Sequence, residues 1–378
     1  MKRAKCAMGN VALTHTLPRD RRFPMSARFR LTPRRTAATT IAAAGIVLAL
    51  AGCAGATPAA DGDSDSYGDL DLQLSWVKNE EFAGEFFADS KGYYTDAGFD
   101  SVNLTAGPST GSAELLSGST DVALSDAISI GTVIDSEQAP LKIIGATFQK
   151  NPFTILSLAD GGNIATPDDL KGKKIGVQAS NTSLFEALLE ANGIDKSDVT
   201  VVPVDYDPSV LVNGDVDGFV AYLTNESITV AAKGLAVTNL PFADNGLPFV
   251  AETFAVTDET IANDREKLKA FLVAEIKGWT DAVNDPEAGA KLAVNEYGKD
   301  LGLDETTSIA GAKVTTESLV TSDETAENGL FTISDDLQKQ TLATLKKAGI
   351  DVSGDDLFDL SLLAEVYKEN PELVAYAK

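Results

Sequence analysis

Histidine and cysteine are almost missing from this chain of 378 residues: the one His is His15, and the two Cys are Cys6 and Cys53. Beyond Cys53 there is neither, so that part of the chain has no Ser-His-Asp triad, no Cys-His pair and no His-ligated zinc or non-haem iron site. A disulfide framework is excluded too. Carboxylate chemistry stays open, which disfavours an enzyme without excluding one, and neither a metal, a cofactor nor a catalytic residue is expected. Positive charge is also scarce. Residues 1–52 hold ten of the 31 Lys and Arg but one of the 56 Asp and Glu, so the remainder carries 21 against 55, a net of −34. Phosphate binding needs a basic footprint, so nucleic acid is not an expected partner. The acidity is read as solubility outside the cell.

Long apolar runs are few, and the one that matters ends at a cysteine. Thr36 to Gly52 is rich in Ala, Ile, Val and Leu and follows Arg28, Arg30, Arg34 and Arg35, the basic-then-apolar order of a signal peptide. It closes on Leu50-Ala51-Gly52-Cys53, the form of a bacterial lipobox, whose Cys thiol accepts a diacylglycerol before cleavage. The run is shorter than the ~20 residues that cross a bilayer. The expectation is a signal peptide over 1–52, with 1–24 an over-extended gene start or a long n-region, and a mature chain tethered through lipidated Cys53 to the outer face of a membrane. Sec export fits better than the twin-arginine route. Ala54 to Tyr67 is small, polar and acidic, so residues 53–68 read as a flexible tether.

From Asp69 onward strands and helices alternate. Strands are expected at Leu70 to Trp76, Ser101 to Thr105, Val122 to Ser125 and Leu141 to Phe148, separated by helices at Phe82 to Lys91, Ser109 to Leu116 and Ala127 to Ile134. A second run places strands at Lys174 to Val177, Val199 to Val204, Asp217 to Ala221 and Leu235 to Leu240, with helices at Ser183 to Ala191 and Asn225 to Lys233. After Asp258 the pattern is helical: Arg265 to Asn284, Pro286 to Tyr297, Ser334 to Ala348 and Leu360 to Tyr367. This is an α/β chain of two lobes, each a mainly parallel sheet with flanking helices, with the C-terminal helices packing on the first lobe. Lobe I is expected over 69–155 plus 252–378 and lobe II over 156–251, with crossings near Pro152 to Ala159 and Phe249 to Val256. Ligands of such sheets bind at the carboxyl ends of the strands, so two facing sheets enclose a cleft.

Trp76-Val77-Lys78-Asn79-Glu80-Glu81-Phe82-Ala83-Gly84, then Lys91-Gly92-Tyr93-Tyr94 and Gly98, resembles the opening of the ABC-importer solute-binding proteins in the nitrate, sulfonate and thiamine-precursor superfamily. The similarity continues through Gly118-Ser119-Thr120-Asp121-Val122, Phe148-Gln149-Lys150-Asn151-Pro152, Asp169 to Gly176, Gly214 to Gly218, Tyr222-Leu223-Thr224-Asn225-Glu226 and Phe271 to Trp279. It implies a two-lobed periplasmic-binding-protein fold, a lipid-anchored monomer outside the membrane that closes on a small-molecule ligand and hands it to permease subunits. Within the superfamily, Trp-X-X-Asn and Tyr-X-X-Asn-Glu look like the branch that binds flat nitrogen heterocycles such as thiamine pyrimidine precursors. Riboflavin, or a small sulfonate or nitrate, is the alternative ligand.

The physical chemistry of the candidates agrees, because a heterocycle wants aromatic faces and a few amide or carboxylate groups at its edge, whereas an anion wants donors and positive charge. Trp76, Phe82 and Tyr222 supply faces; Asn79, Glu80, Asn225 and Glu226 supply edges. Each has a plainer alternative: Trp76 as a core or rim residue, Phe82 as the buried side of the first helix. The turn at Gly107 and Ser109 offers either free N–H groups for an anion or carbonyl, or a capped turn. Ser125 and Asp126 follow a strand, Asp126 as helix cap or cleft acid. Gln178 and Asn181 form the equivalent turn of the second lobe, Asn181 as ligand group or N-cap. Gln149 lies before one crossing and Glu252 at the other, as hinge or cleft residue. Tyr206 stays ambiguous, and Trp279 reads as core. Besides an importer's binding subunit, two classes stay in view: a fungal thiamine-pyrimidine-synthase-like enzyme, which uses a His and a Cys-rich iron site, and a surface lipoprotein that binds a partner protein.

Overall fold

The first described residues already belong to the fold. The computed structural model describes residues 66–377; Cys53, the apolar run before it and residues 54–65 of the tether lie outside the described residues. The Tyr67 N–H donates to Gly98 O at 2.9 Å and its ring packs on Phe99 at 5.7 Å. Tyr67 and Gly68 are therefore held by the body of the protein rather than by the tether.

Among the described residues, ten strands form two sheets of five. The first contains β1 (Asp69–Gln73), β2 (Ser101–Thr105), β3 (Val122–Ser125) and β4 (Leu141–Phe148); the second contains β5 (Phe153–Leu158), β6 (Lys174–Val177), β7 (Thr200–Pro203), β8 (Gly218–Tyr222) and β9 (Val237–Pro241). The last strand, β10 (Ala251–Thr257), returns to the first sheet. The orders are β2-β1-β3-β10-β4 and β7-β6-β8-β5-β9, so the two sheets repeat one pattern. In each, two pairings are parallel and two antiparallel.

That antiparallel half has a topological cause. The chain leaves the first sheet at the carboxyl end of β4 and enters the second at β5; it leaves the second at the end of β9 and returns as β10. A strand that enters a sheet at the end where its neighbours finish must run against them. Both segments expected to be crossings, Pro152 to Ala159 and Phe249 to Val256, are thus largely strand, and the crossings shrink to residues 149–152 and 242–250. Their apolar residues find partners on both sides: Ile155 and Leu156 pair with β8 and β9, and Phe254 with β3 and β4.

Helices cover the sheets. Ala83–Ser90 and Arg265–Asn284 cross closely because both carry glycine at the contact: a Cβ on Gly278 would lie 2.1 Å from Gly84 O, and one on Gly84 would lie 2.2 Å from the Trp279 ring. Beneath them Leu70, Leu72, Phe86, Phe254 and Phe271 form the buried core. The C-terminal helices pack on the first sheet as expected, with Leu345, Ile350, Leu357 and Phe358 against Ile130, Leu141 and Ile143. Asp335–Lys347 also touches the second crossing, where Thr344 Oγ1 donates to Pro248 O at 2.7 Å. No helix among the described residues is long and apolar enough to cross a membrane.

Candidate functional site

The carboxyl ends of β1, β3, β6 and β8, together with the starting ends of β5 and β10, meet around a cleft of about 490 Å³. Because the crossing strands enter where the others finish, all these elements deliver side chains to one place. From the first sheet come Ser75, Trp76, Ser109, Thr110, Ser125, Asp126 and Glu252; from the second come Phe153, Gln178, Ser180, Asn181, Tyr206, Tyr222, Asn225 and Glu226.

Each wall is fixed by local chemistry. After β1, Ser75 Oγ donates to both carboxylate oxygens of Glu252 at 2.8 and 2.9 Å. Glu252 itself has φ 42°, a left-handed conformation that a side-chain-bearing residue adopts at a cost of about 1–3 kcal/mol and that tends to mark functional positions. Asp126 accepts from the N–H groups of Ile128 and Ser129 at 2.8 and 2.9 Å and from Ser129 Oγ at 2.6 Å. It is both helix cap and cleft wall. Gln178 Nε2 donates to Val220 O, and Asn181 Nδ2 to Gln178 Oε1, each at 2.9 Å, so Asn181 supports the wall instead of capping a helix. The Tyr222 N–H donates to Glu226 Oε2 at 2.8 Å, which closes the Tyr-X-X-Asn-Glu turn on itself.

Aromatic rings line up in two pairs. Trp76 meets Tyr206 edge-on at 4.9 Å, and Phe153 meets Tyr222 at 4.7 Å and 85°. The first pair joins the two sheets across the cleft. Tyr206 is held in turn by Ser180, with 2.9 Å between their hydroxyl oxygens.

The electrostatics are one-sided. Glu81, Asp126, Glu226 and Glu252 all line the cleft, and among the described residues no Lys, Arg or His does. Burial pushes the Glu252 carboxyl up to about 8, against the pull of the Ser75 hydroxyl. Burial also raises Glu81 well above the usual range, with Glu252 and Glu80 adding to it, and raises Asp126 and Glu226. At the turn, the Gly107 and Ser109 N–H groups are not free to hold an anion. The Gly107 and Ser109 N–H groups donate to Trp76 O and Ser75 O, and the Gly111 N–H to Ser109 Oγ, so they are spent on the fold. Gly107 is required there, since a Cβ would lie 2.3 Å from Ser75 O.

A family model described as NMT1/THI5 like matches residues 79–289. The chain belongs to that family. Among curated relatives it is 25% identical over 238 residues to the riboflavin-binding protein RibY of Chloroflexus aurantiacus, covering 59% of this chain and 65% of that one. It is 26% identical over 215 residues to the 4-amino-5-hydroxymethyl-2-methylpyrimidine phosphate synthase of Schizosaccharomyces pombe, covering 53% of this chain and 62% of that one. The chain therefore spans less than two thirds of either relative's length. Among solved structures, the periplasmic nitrate-binding protein NrtA of Synechocystis PCC 6803 superposes with a TM-score of 0.59 at 14% identity, covering 82% of this chain and 92% of that one. This last likeness is one of fold.

Ten of the residues expected at the site line the cleft: Trp76, Ser109, Ser125, Asp126, Gln178, Asn181, Tyr222, Asn225, Glu226 and Glu252. Five lie outside its lining. Asn79 is buried and caps the turn Glu80–Phe82, its Oδ1 accepting the Glu81 N–H at 3.3 Å. Glu80 turns away toward Ser308 and Gly311, and burial lifts its carboxyl to about 7. Phe82 packs on Phe86 at 6.4 Å. Gly107 acts through its backbone, and Gln149 Nε2 donates to Ala146 O at 3.2 Å. The lining also holds Ser75, Glu81, Phe153 and Ser180, which the sequence does not single out, and Tyr206, which it leaves ambiguous. Phe153 was hidden by the expectation of a crossing, Glu81 by its neighbour Glu80.

Proposed function

We propose that this protein is the extracytoplasmic solute-binding subunit of an ABC importer, anchored through Cys53, and that it captures a small flat nitrogen heterocycle by closing its two lobes. The observation that carries the reading is the cleft lining among the described residues: aromatic rings from both sheets, amides and four carboxyl groups, with no positive side chain. Rings of this kind stack on a planar ligand, and acceptor-rich edges suit the N–H groups of an amino-substituted ring. Nitrate or a sulfonate would meet four acids and no cation. The volume falls within the ~300–1,000 Å³ of ordinary small-molecule sites.

A thiamine pyrimidine precursor is the first choice of ligand, supported by family membership. Riboflavin is the second, favoured by the name of the Chloroflexus relative. An enzyme is disfavoured because the chain beyond Cys53 has no His or Cys. Native mass spectrometry of protein purified without refolding tests the reading: a small aromatic heterocycle released on denaturation is expected. Release of an aliphatic sulfonate would overturn it.

A further inference from the structure

Glu81 has an oxygen to spare. Its Oε2 accepts from Asn79 Nδ2 at 3.3 Å, while Oε1 is buried without a hydrogen-bond partner. The residue is 2% exposed and lines the cleft. A carboxyl group in this position carries its proton on Oε1, because Oε2 already receives an N–H. The surroundings favour that protonated form: burial and the nearby acids Glu252, Glu80 and Glu226 all act against a charge on Glu81, Glu81 in turn acts on Tyr222, and among the described residues no cation lines the cleft. The result is a buried acid O–H, on a residue that lines the cleft, with no partner in the protein to receive it. Leaving such a group unmatched costs about 1–3 kcal/mol, so a ligand that matches it gains by doing so.

We infer that the cleft holds its heterocycle through a basic ring nitrogen set against Glu81 Oε1, and that the Glu81 proton passes to that nitrogen on binding. The O–H bond at Oε1 breaks, an N–H bond forms on the ring, and a ring cation is left paired with a carboxylate. When the ring arrives neutral and Glu81 arrives protonated, no proton is exchanged with solvent. Because burial alone favours the proton on Glu81, the transfer is driven by the attraction of the ring cation to the new carboxylate and to the neighbouring acids, which is strong at low dielectric and must exceed the cost of burying the charges. This rests on the heterocycle reading and narrows it to rings with a basic nitrogen, such as aminopyrimidines, and away from rings whose nitrogens are not basic, such as the flavin.

The test compares 4-amino-5-hydroxymethyl-2-methylpyrimidine with its 4-oxo analogue, a pyrimidinone of nearly the same shape but far lower basicity, by calorimetry on the full protein. Riboflavin and methanesulfonate complete the panel. The amino compound is expected to bind at least tenfold tighter than the oxo compound. Its affinity should be level between the ring's own pKa and that of Glu81, and fall on either side. Glu81→Gln should abolish the tenfold preference, and the ¹⁵N shift of the bound ring nitrogen in the wild type should be that of the protonated ring. Equal binding of the two pyrimidines, an unprotonated bound ring, or failure of both to bind overturns the inference. In those cases riboflavin binding would leave the heterocycle reading standing, and binding of methanesulfonate alone would remove both. The wild-type preference and the ¹⁵N shift carry the test even if Glu81→Gln does not fold.

Discussion

Stability should fall as pH rises from 5.5 to 8, and Glu275→Gln should weaken that fall. Glu85 and Glu275 face each other where the helices Ala83–Ser90 and Arg265–Asn284 cross, both essentially unexposed. Tyr94 donates its hydroxyl to Glu275 Oε1, Trp279 Nε1 donates to Glu85 Oε1 at 3.4 Å, and Oε2 of each acid has no partner. Burial lifts Glu275 to about 8 from its ordinary 4.5, and lifts Glu85 well above the ordinary range, with Glu275 adding to it. An acid whose folded pKa is raised keeps its proton in the folded state after the unfolded chain has released it. Its contribution to stability is therefore fully present below about pH 4.5 and is lost as pH climbs through the folded value. Each such group removes about 1.4 kcal/mol per pH unit inside that window. Beyond the pair Glu85 and Glu275, Glu252 adds a further group in the same window and Glu80 another up to about 7. Carboxylates with lowered values, such as Asp169 and Glu365, act in the opposite sense but at lower pH, so they leave the interval alone. Glutamine at 275 keeps an acceptor for Tyr94 and removes both the titration and the like charge beside Glu85. Over pH 5.5 to 8 the variant should lose about 3 kcal/mol less than the wild type, an upper figure for a coupled pair. Urea unfolding at constant ionic strength across that interval measures both slopes. A wild type as stable at pH 8 as at 5.5, or a variant with an unchanged slope, would refute the reasoning.

The two tryptophans should behave oppositely. Trp76→Ala removes a cleft ring and its contact with Tyr206, which should cost ~0.5–1.5 kcal/mol of stacking plus buried area and lower affinity roughly tenfold or more. Trp279→Ala empties a buried site beside Gly84 and should cost about 3–5 kcal/mol of stability with little change in affinity; calorimetry and denaturant titration on both variants would contradict this if the effects were exchanged. Cys53→Ser should leave the fold intact and move the protein from the membrane fraction to the soluble one, read by fractionation and immunoblotting; continued membrane association would show that the thiol is not the anchor.

The fold was legible wherever local pattern and tertiary role agree. Ser101–Thr105, Val122–Ser125, Leu141–Phe148, Lys174–Val177 and Arg265–Asn284 fall where alternation or helical spacing places them. Phe153–Leu158 and Ala251–Thr257 were hidden because a fully buried strand between two neighbours shows an apolar run without alternation, and because the two-lobe pattern itself asked for a crossing there. The helix Glu305–Thr315 escaped for the opposite reason. Its buried residues are Ser308, Gly311, Ala312 and Thr315, small groups that fit a close approach to Glu80 and Thr224 but leave no apolar stripe to read.

The site shows where such reading stops. Strand ends could be located, so Trp76, Ser125, Asp126, Gln178 and Tyr222 could be nominated from position alone. Between the adjacent acids Glu80 and Glu81 the sequence offers no choice, since both precede the helix whose periodicity would orient them. The decision is made by Asn79: its side chain accepts the Glu81 N–H and starts a tight turn over Glu80–Phe82, with fewer residues per turn than an α-helix. That rotation sends Glu80 toward Ser308 and leaves Glu81 at the cleft. One hydrogen bond from the Glu81 N–H to the Asn79 side chain thus selects which of two neighbouring carboxyl groups can meet a ligand, which is why Glu81 and not Glu80 is the residue to exchange for glutamine.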